Sequence, residues 1–247
     1  MDFDLVSDVH IDYWDIHLPL KYPCGSRKHA PCQLTPMSGI LVVAGDVSDD
    51  ITLTCEWLQK QPYDTILFVE GNHEHVEYYG HMSTKIDVPV INLSETDYIR
   101  DSVAFVGCCG WWDYADGSVV DYFKDWMPHI DCQSFEQLIK QRAEQEALTL
   151  IQRISALQKR NDIDKIVVVT HTVPPKDELC SEGYSTWANT QLKVTENSKV
   201  THWCFGHLHQ EFDIKIDNIR FICHPRGRPD DNKLENYDIK HIKLLDL

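Results

Sequence analysis

Residues 65–74 read Thr65-Ile66-Leu67-Phe68-Val69-Glu70-Gly71-Asn72-His73-Glu74, an apolar run that breaks into a glycine among polar side chains. A run with no polar residue from Ile66 to Val69 does not suit a strand with one wet face. It reads as a strand buried on both faces, the kind that parallel sheets contain. The glycine after it lets the backbone turn sharply, so that Asn72 and His73 can converge on one point. The same pattern recurs to either side. Phe3 to Ser7 runs into Asp8-Val9-His10, Ile40 to Ala44 into Gly45-Asp46, and Ile166 to Val169 into Thr170-His171. A fifth polar motif, Gly206-His207-Leu208-His209, follows further on. Polar residues at the ends of successive buried strands stand where an α/β sheet places its ligand crevice. The fold class expected is therefore α/β.

The rest of the chain fits this frame. Ile51, Leu53, Trp57 and Leu58 recur at roughly helical spacing between two of the strands, making a strand-helix-strand unit. Phe135, Leu138, Ile139, Ala147, Leu148, Ile151, Ile154 and Leu157 place a long helix over about 135–159, and Ser134 with Gln137 resembles its capping box. Two apolar runs, Val88 to Leu93 and Val103 to Gly107, flank a polar turn. Phe212 to Ile216 and Ile219 to Cys223 read as a hairpin turning at Asp217-Asn218, with a further strand over 239–245. Residues 11–38 read as an irregular excursion carrying the basic cluster Arg27-Lys28-His29. No Gly/Ser-rich or Pro-rich linker divides the chain, so residues 1–247 are expected to form one domain.

Composition bounds the function. The formal charge is −16, and a surface this acidic repels duplex DNA, whose binding rests on a field of Lys and Arg. A small phosphorylated substrate, nucleotides included, fits the charge better. Nine cysteines without paired Cys-x-x-Cys spacing argue against a disulfide framework and a zinc ribbon. With no apolar run of membrane-spanning length and no signal core after Met1, no membrane partner is expected and the compartment expected is the cytoplasm.

Asp8 and His10 alternate about Val9, which on an extended strand end directs both side chains to one face; His207 and His209 do the same about Leu208. Together the motifs supply carboxylate, imidazole and amide ligands without a thiolate, a set suited to Mn, Fe, Ni or Zn rather than Ca or an iron–sulfur cluster. Any one motif also reads as an ordinary strand terminus or turn. Their joint order and strand context point to a site for two divalent metal ions, with manganese the expected occupant.

In this order the motifs resemble those of the calcineurin-like metallophosphoesterases, D-x-H, G-D, G-N-H-[DE], H and G-H-x-H, from Asp8 to His209. Within that family the chain is similar to small bacterial and phage members, which carry a Trp-bearing segment and an N-P-R-G-Y. Here those places read Gly107-Cys108-Cys109-Gly110-Trp111-Trp112-Asp113-Tyr114 and His224-Pro225-Arg226-Gly227-Arg228. The changes to His224 and Arg228 bear on substrate contacts and touch no metal ligand. The resemblance implies a four-layer αββα sandwich of two mixed β-sheets flanked by helices. It assigns Asp8, His10, Asp46 and His209 to one metal and Asp46, Asn72, His171 and His207 to the other, with Asp46 as the bridge.

The implied reaction is hydrolysis of phosphomonoesters, phosphodiesters or nucleotide phosphoanhydrides by a metal-bridging hydroxide, with Asp46 and His73 as catalytic residues. His73 would face the leaving group, oriented by Asp46 or Glu74. Substrate contacts are expected from Asn72, His73, His224 and Arg226. Asp49 reads as a helix N-cap or as a partner behind the ligands. Trp111, Trp112 and Tyr114 read as core or as a stacking platform, and the resemblance places Trp187 and Asn189 over the cleft. The other histidines, at 17, 29, 75, 81, 129, 202 and 241, read as structural or solvated. Two further readings compete: a nuclease acting on short or single-stranded nucleic acid, and a non-catalytic scaffold with the same fold.

Overall fold

Each apolar run that ends in a polar motif forms a strand: β1 (Asp2–Val6), β2 (Ile40–Ala44), β3 (Thr65–Val69) and, later in the chain, β9 (Lys165–Thr170) and β10 (Val200–Phe205). These come from a computed structural model describing residues 1–15, 32–78, 81–82, 87–115, 132–179, 187–193, 198–231 and 237–244. The Arg27-Lys28-His29 cluster, His17 and His129 lie outside the described residues. The intervening strands are β4 (Val76–Tyr78), β5 (His81–Met82), β6 (Ile91–Asn92), β7 (Tyr98–Arg100) and β8 (Val103–Cys108). A hairpin of β11 (Phe212–Ile216) and β12 (Ile219–Cys223) and a last strand β13 (Lys240–Lys243) follow β10. Helices α1 (Ile11–Trp14), α2 (Ile51–Lys60) and α3 (Cys132–Gln158) and a 3-10 turn (Pro229–Asp231) complete the described elements.

The strands form two mixed sheets, one in the order β13-β1-β2-β3-β6 and one in the order β11-β12-β10-β9-β8-β7; β4 and β5 pair separately. Both have a parallel centre, β1, β2, β3 and β6 in one and β8, β9, β10 and β12 in the other; the first has one antiparallel edge, β13, and the second has two, β11 and β7. Strand period divides each run between two environments. Phe3, Leu5, Val42, Ala44, Leu67 and Val69 of the first sheet face Val103, Phe105, Val167, Val169, Cys204 and Ile222 of the second. The alternate residues Leu41, Val43, Ile66 and Phe68 pack under Trp57 and Leu58 of α2. Ala104, Val106, Ile166 and Val168 pack under Ala147, Leu150, Ile154 and Leu157 of α3. Helix, sheet, sheet and helix are thus stacked in four layers, and both faces of the central strands are dry, which is why their sequences lack polar alternation.

Some local expectations are corrected. The described helix α3 begins at Cys132, so Ser134 lies inside its first turn rather than capping it. Leu138 and Leu148, expected on the packed stripe, are 37% and 52% exposed; Ala143 and Leu150 are buried instead. A 27-residue helix drifts relative to any straight line of apolar residues, and its contact with the sheet selects among them. Asp50, not Asp49, caps α2, its side chain accepting from the Thr52 amide. Among the described residues no helix is long and apolar enough to cross a membrane.

Helix α3 also carries a charge into the protein. Glu146 accepts a hydrogen bond from the Gly110 amide at 2.7 Å, and burial with the nearby charge of Glu70 pushes its carboxyl up to about 7. In the unfolded chain a glutamate ionises near 4.3. Between those two values the unfolded state sheds a proton that the folded state keeps, so stability falls as pH rises through that window and then levels off. Glu146→Gln keeps an acceptor for Gly110 without the charge. Its melting temperature should gain on the parent's as pH rises from 5 to 7, by an amount equivalent to up to about 2 kcal/mol; an advantage that does not change with pH would refute the assignment.

Candidate metal centre

The carboxyl ends of β1, β2, β3, β9 and β10 meet at one end of the two sheets, and the backbone there is stitched between neighbouring strand ends within each sheet and, at Arg226 and Ser7, from one sheet to the other. The Asp8 amide donates to the Gly45 carbonyl at 3.0 Å, the Gly206 amide to the His171 carbonyl at 2.9 Å, and the Arg226 amide to the Ser7 carbonyl at 3.0 Å. Gly71 is needed for close approach: a Cβ there would lie 2.0 Å from Asp46 Oδ1 and 2.6 Å from the Asp46 amide. Any larger residue would push β3 away from β2 where the ligands gather.

Asp8, His10, Asp46, His207 and His209 all have left-handed backbones, with φ of 48°, 45°, 56°, 72° and 49°. The extended geometry expected of Asp8-Val9-His10 and of His207-Leu208-His209 is therefore wrong, although both pairs still converge. Each chain leaves its strand in a tight bend that aims successive side chains inward. Such a conformation costs a non-glycine residue about 1–2 kcal/mol, and it persists where surrounding contacts over-determine it. Here the His207 amide donates to Asp8 Oδ1 at 2.8 Å, and the His73 amide to Asp46 Oδ1 at 2.9 Å.

The side chains make two groups that share Asp46. One donor atom each from Asp8, His10, Asp46 and His209 lie within 4.8 Å of one another, and so do those of Asp46, His171 and His207. In the first group His10 Nε2 and His209 Nε2 are 2.9 Å apart, and His209 Nε2 lies 3.6 Å from Asp8 Oδ1. In the second, His171 Nε2 stands 3.2 Å from Asp46 Oδ2, 3.1 Å from Asn72 Oδ1 and 3.3 Å from His207 Nδ1. Asn72 thereby joins the second group.

Protons alone satisfy this arrangement poorly. Two facing imidazole nitrogens can share only one proton, His171 Nε2 has three polar neighbours for one, and buried Asp8 Oδ2 has no hydrogen-bond partner among the described residues. The titration behaviour agrees. Burial tends to raise Asp46, yet His171 and His73 hold it well below the usual carboxylate range. Burial would lower His171, but Asp46 pushes it up to about 9. Burial and neighbouring imidazoles keep His10 and His207 well below the usual histidine range, and burial raises Asp8 against the pull of His209 and His171. The neutral His10 and His207, a proton on His171 that a cation would displace, buried carboxylates and orphaned lone pairs make a donor set that fits divalent cations.

A ring of partners holds these side chains. Asp231 Oδ2 accepts from His209 Nδ1 at 2.6 Å, which leaves Nε2 turned to the ligand group. The Ala44 carbonyl accepts from His171 Nδ1 at 2.9 Å. Glu74 does not orient His73; its carboxylate accepts from the amides of Asp46, Val47 and Gly71 and from the Thr54 hydroxyl, tying the β2 and β3 bends together. Burial and the Asp46 charge raise Glu74 to about 7. His73 Nδ1 pairs instead with Asp49, whose other oxygen accepts from the Tyr13 hydroxyl at 3.0 Å. Burial lowers His73, but Asp46 and Asp49 raise it above its ordinary value.

The matching family model is that of the calcineurin-like phosphoesterases, and it covers residues 1–211. The chain belongs to this family. It is accordingly a metal-dependent phosphoric ester hydrolase, and its fold matches that of a solved hydrolase. A phosphopantetheinyl hydrolase from Mycobacterium tuberculosis is similar at 15% identity and a TM-score of 0.65, with 98% of this chain and 95% of that one covered. A 5′-nucleotidase described as putative, from Staphylococcus aureus, gives 15% identity and a TM-score of 0.47 over 92% of this chain and 48% of that one. No curated protein sequence matches the chain.

The remaining expected site residues of this phosphoesterase lie elsewhere. His224 stacks on Tyr237 and its Nε2 donates to the Asp238 carbonyl at 3.0 Å; Arg226 is buried, its guanidinium 4.4 Å from the centre of the Trp14 ring. Both expected substrate contacts thus have partners outside the two ligand groups. Arg228 lies nearer, with Nη2 2.8 Å from His73 Nε2. Trp111, Trp112 and Tyr114 are buried, which removes them as an open platform; Trp112 stacks on His207 with Trp187 at the edge of that ring. Asn189 is buried and donates to the Ala143 carbonyl. Asp231 was not foreseen, since nothing in the spacing of Pro229-Asp230-Asp231 ties it to His209. Asp231→Asn should weaken divalent-metal affinity about 10–100-fold; an unchanged affinity in competition with a chelator would show that His209 needs no such support.

Proposed function

We propose that the chain is a binuclear phosphohydrolase, folded as one domain over residues 1–247, that cleaves phosphomonoesters, phosphodiesters or nucleotide phosphoanhydrides. The observation that carries this reading is the Asp46 carboxylate, which belongs to both ligand groups at once. Asp8, His10, Asp46 and His209 would hold one cation, and Asp46, Asn72, His171 and His207 the other. A carboxylate with two oxygens suits cations roughly 3.5–4 Å apart, the spacing used for in-line phosphoryl displacement. Oxygen and imidazole donors without thiolate favour Mn²⁺, with Fe, Ni or Zn as alternatives. Bound there, such a pair would polarise a phosphoryl oxygen and ionise an attacking water near neutral pH.

The protein's own groups supply the rest. His73 stands beside the shared carboxylate, its Nε2 3.7 Å from Asp46 Oδ2, and Asp49 fixes the ring through Nδ1. From there His73 would stabilise or protonate the departing oxygen. Glu74 keeps the Asp46 and Gly71 backbones in register, so its part is structural. Small phosphorylated substrates agree with the acidic surface, and the similar phosphopantetheinyl hydrolase lends support at the level of substrate size.

Metal-stripped protein given Mn²⁺ should hydrolyse p-nitrophenyl phosphate or its bis ester, and chelator should abolish the activity. His73→Ala should lower kcat about 10²–10⁴-fold while elemental analysis finds its metal content unchanged. Full turnover in that variant would remove His73 from the reaction.

A further inference from the structure

Arg228 is held at the metal cleft from several sides. Its chain segment is pinned to the end of β1, because the Gly227 amide donates to the Asp8 carbonyl at 2.9 Å. Its own amide donates to Asp231 Oδ2 at 2.6 Å, the same oxygen that holds His209. The guanidinium lies over the Tyr13 ring, 5.1 Å from its centre, and Tyr13 in turn donates to Asp49. Nη2 reaches His73 Nε2 at 2.8 Å, and that nitrogen is 3.7 Å from Asp46 Oδ2. A fixed, partly exposed cation therefore stands next to an imidazole that itself lies beside the shared carboxylate.

A guanidinium supplies charge and a fork of N–H donors, and it does not give up a proton in a protein. An alkoxide leaving group needs a proton. A departing phosphate needs none; it needs its negative charge met, and a planar fork matches its oxygens. Beside the imidazoles, the cleft holds the buried carboxylates of Asp8, Asp46 and Asp49, and a second anionic group of a substrate would need a cation set apart from the ligand groups to meet its charge.

We propose that Arg228 binds a second phosphate of the substrate, the one next to the phosphorus under attack, and that the preferred substrates are phosphoanhydrides such as nucleoside diphosphates. This deepens the phosphohydrolase reading above and rests on it. In the step, the oxygen of water bonds to phosphorus as the anhydride P–O bond breaks. The electron pair of that bond stays on the departing phosphate, against the guanidinium. Of the two protons of water, one ends on a product phosphate and one is released to solvent. Arg228 then acts as a determinant of specificity.

The test compares ADP with p-nitrophenyl phosphate, whose leaving group carries no phosphate. Mn²⁺-loaded parent, Arg228→Ala, Arg228→Gln and Arg228→Lys are each measured for kcat and KM, with melting temperature and metal content as folding controls. The expected result is a loss of kcat/KM on ADP about 10–100-fold greater than the loss on p-nitrophenyl phosphate for Arg228→Ala, partly recovered by Arg228→Lys. Arg228→Gln, close in size and uncharged, gives the same comparison if the alanine variant does not fold. In calorimetry, methylenediphosphonate should bind the parent more tightly than inorganic phosphate does, and Arg228→Gln should remove that preference. Equal losses on both substrates, no loss on ADP, or a parent that cleaves p-nitrophenyl phosphate but not ADP would each overturn this proposal alone. A metal-loaded parent that cleaves only the bis(p-nitrophenyl) ester would overturn this proposal alone, and one that cleaves none of the three would overturn the phosphohydrolase reading, and this one with it.

Discussion

The Asp46 carboxylate sits about 1% exposed between two sets of imidazoles, and the surrounding architecture answers to that placement. An ionised carboxylate out of water costs several kcal/mol unless charge and hydrogen bonds compensate it. Compensation comes from His171, His73 and His10 and from the His73 amide, which together keep Asp46 ionised against its burial. The neighbouring acids pay the other way: burial and the charge of Asp49 push Asp12 up to about 7, and Glu74 reaches about 7 beside Asp46. So many buried acids in one place make a poor resting state for protons and a good one for cations.

Geometry carries the same constraint into the backbone. Five of the seven ligand candidates sit in left-handed bends just past strand ends, a conformation that the strands themselves do not favour. It is maintained because amides of one bend donate into carboxylates of another, His207 to Asp8 and His73 to Asp46, while Glu74 gathers the amides of Asp46, Val47 and Gly71. Ligand and brace are thus the same side chains in different directions. The shared use explains why both sheets are needed: Asp8, Asp46 and Asn72 follow strands of one, and His171, His207 and His209 follow strands of the other.

The ligand residues were legible because each follows a buried strand, and a strand dry on both faces leaves an unambiguous record in sequence. The division of those strands into two facing sheets was not legible from the runs themselves; it came from the family resemblance, since an apolar run does not say which partner covers which face. Misreadings fall where spacing stood in for backbone conformation. Alternation placed Asp8 with His10 and His207 with His209 for a reason the bends do not follow, and a straight apolar line placed Leu138 and Leu148 in a core they do not reach. His224 and Arg226 were read by position in a motif, which says nothing of the rings they meet, Tyr237 and Trp14.

What the sequence by itself determined is the set of chemical groups and the strands that carry them, because ligand type is written in residue identity and buried strands in hydrophobic runs. Only the tertiary structure decided which outer groups hold those ligands: Asp49 on His73, Asp231 on His209, Arg228 over Tyr13. The physical reason is that a hydrogen bond between residues 155 positions apart, as between His73 and Arg228, depends on where two sheets bring the chain back, and no local pattern of residues records that distance.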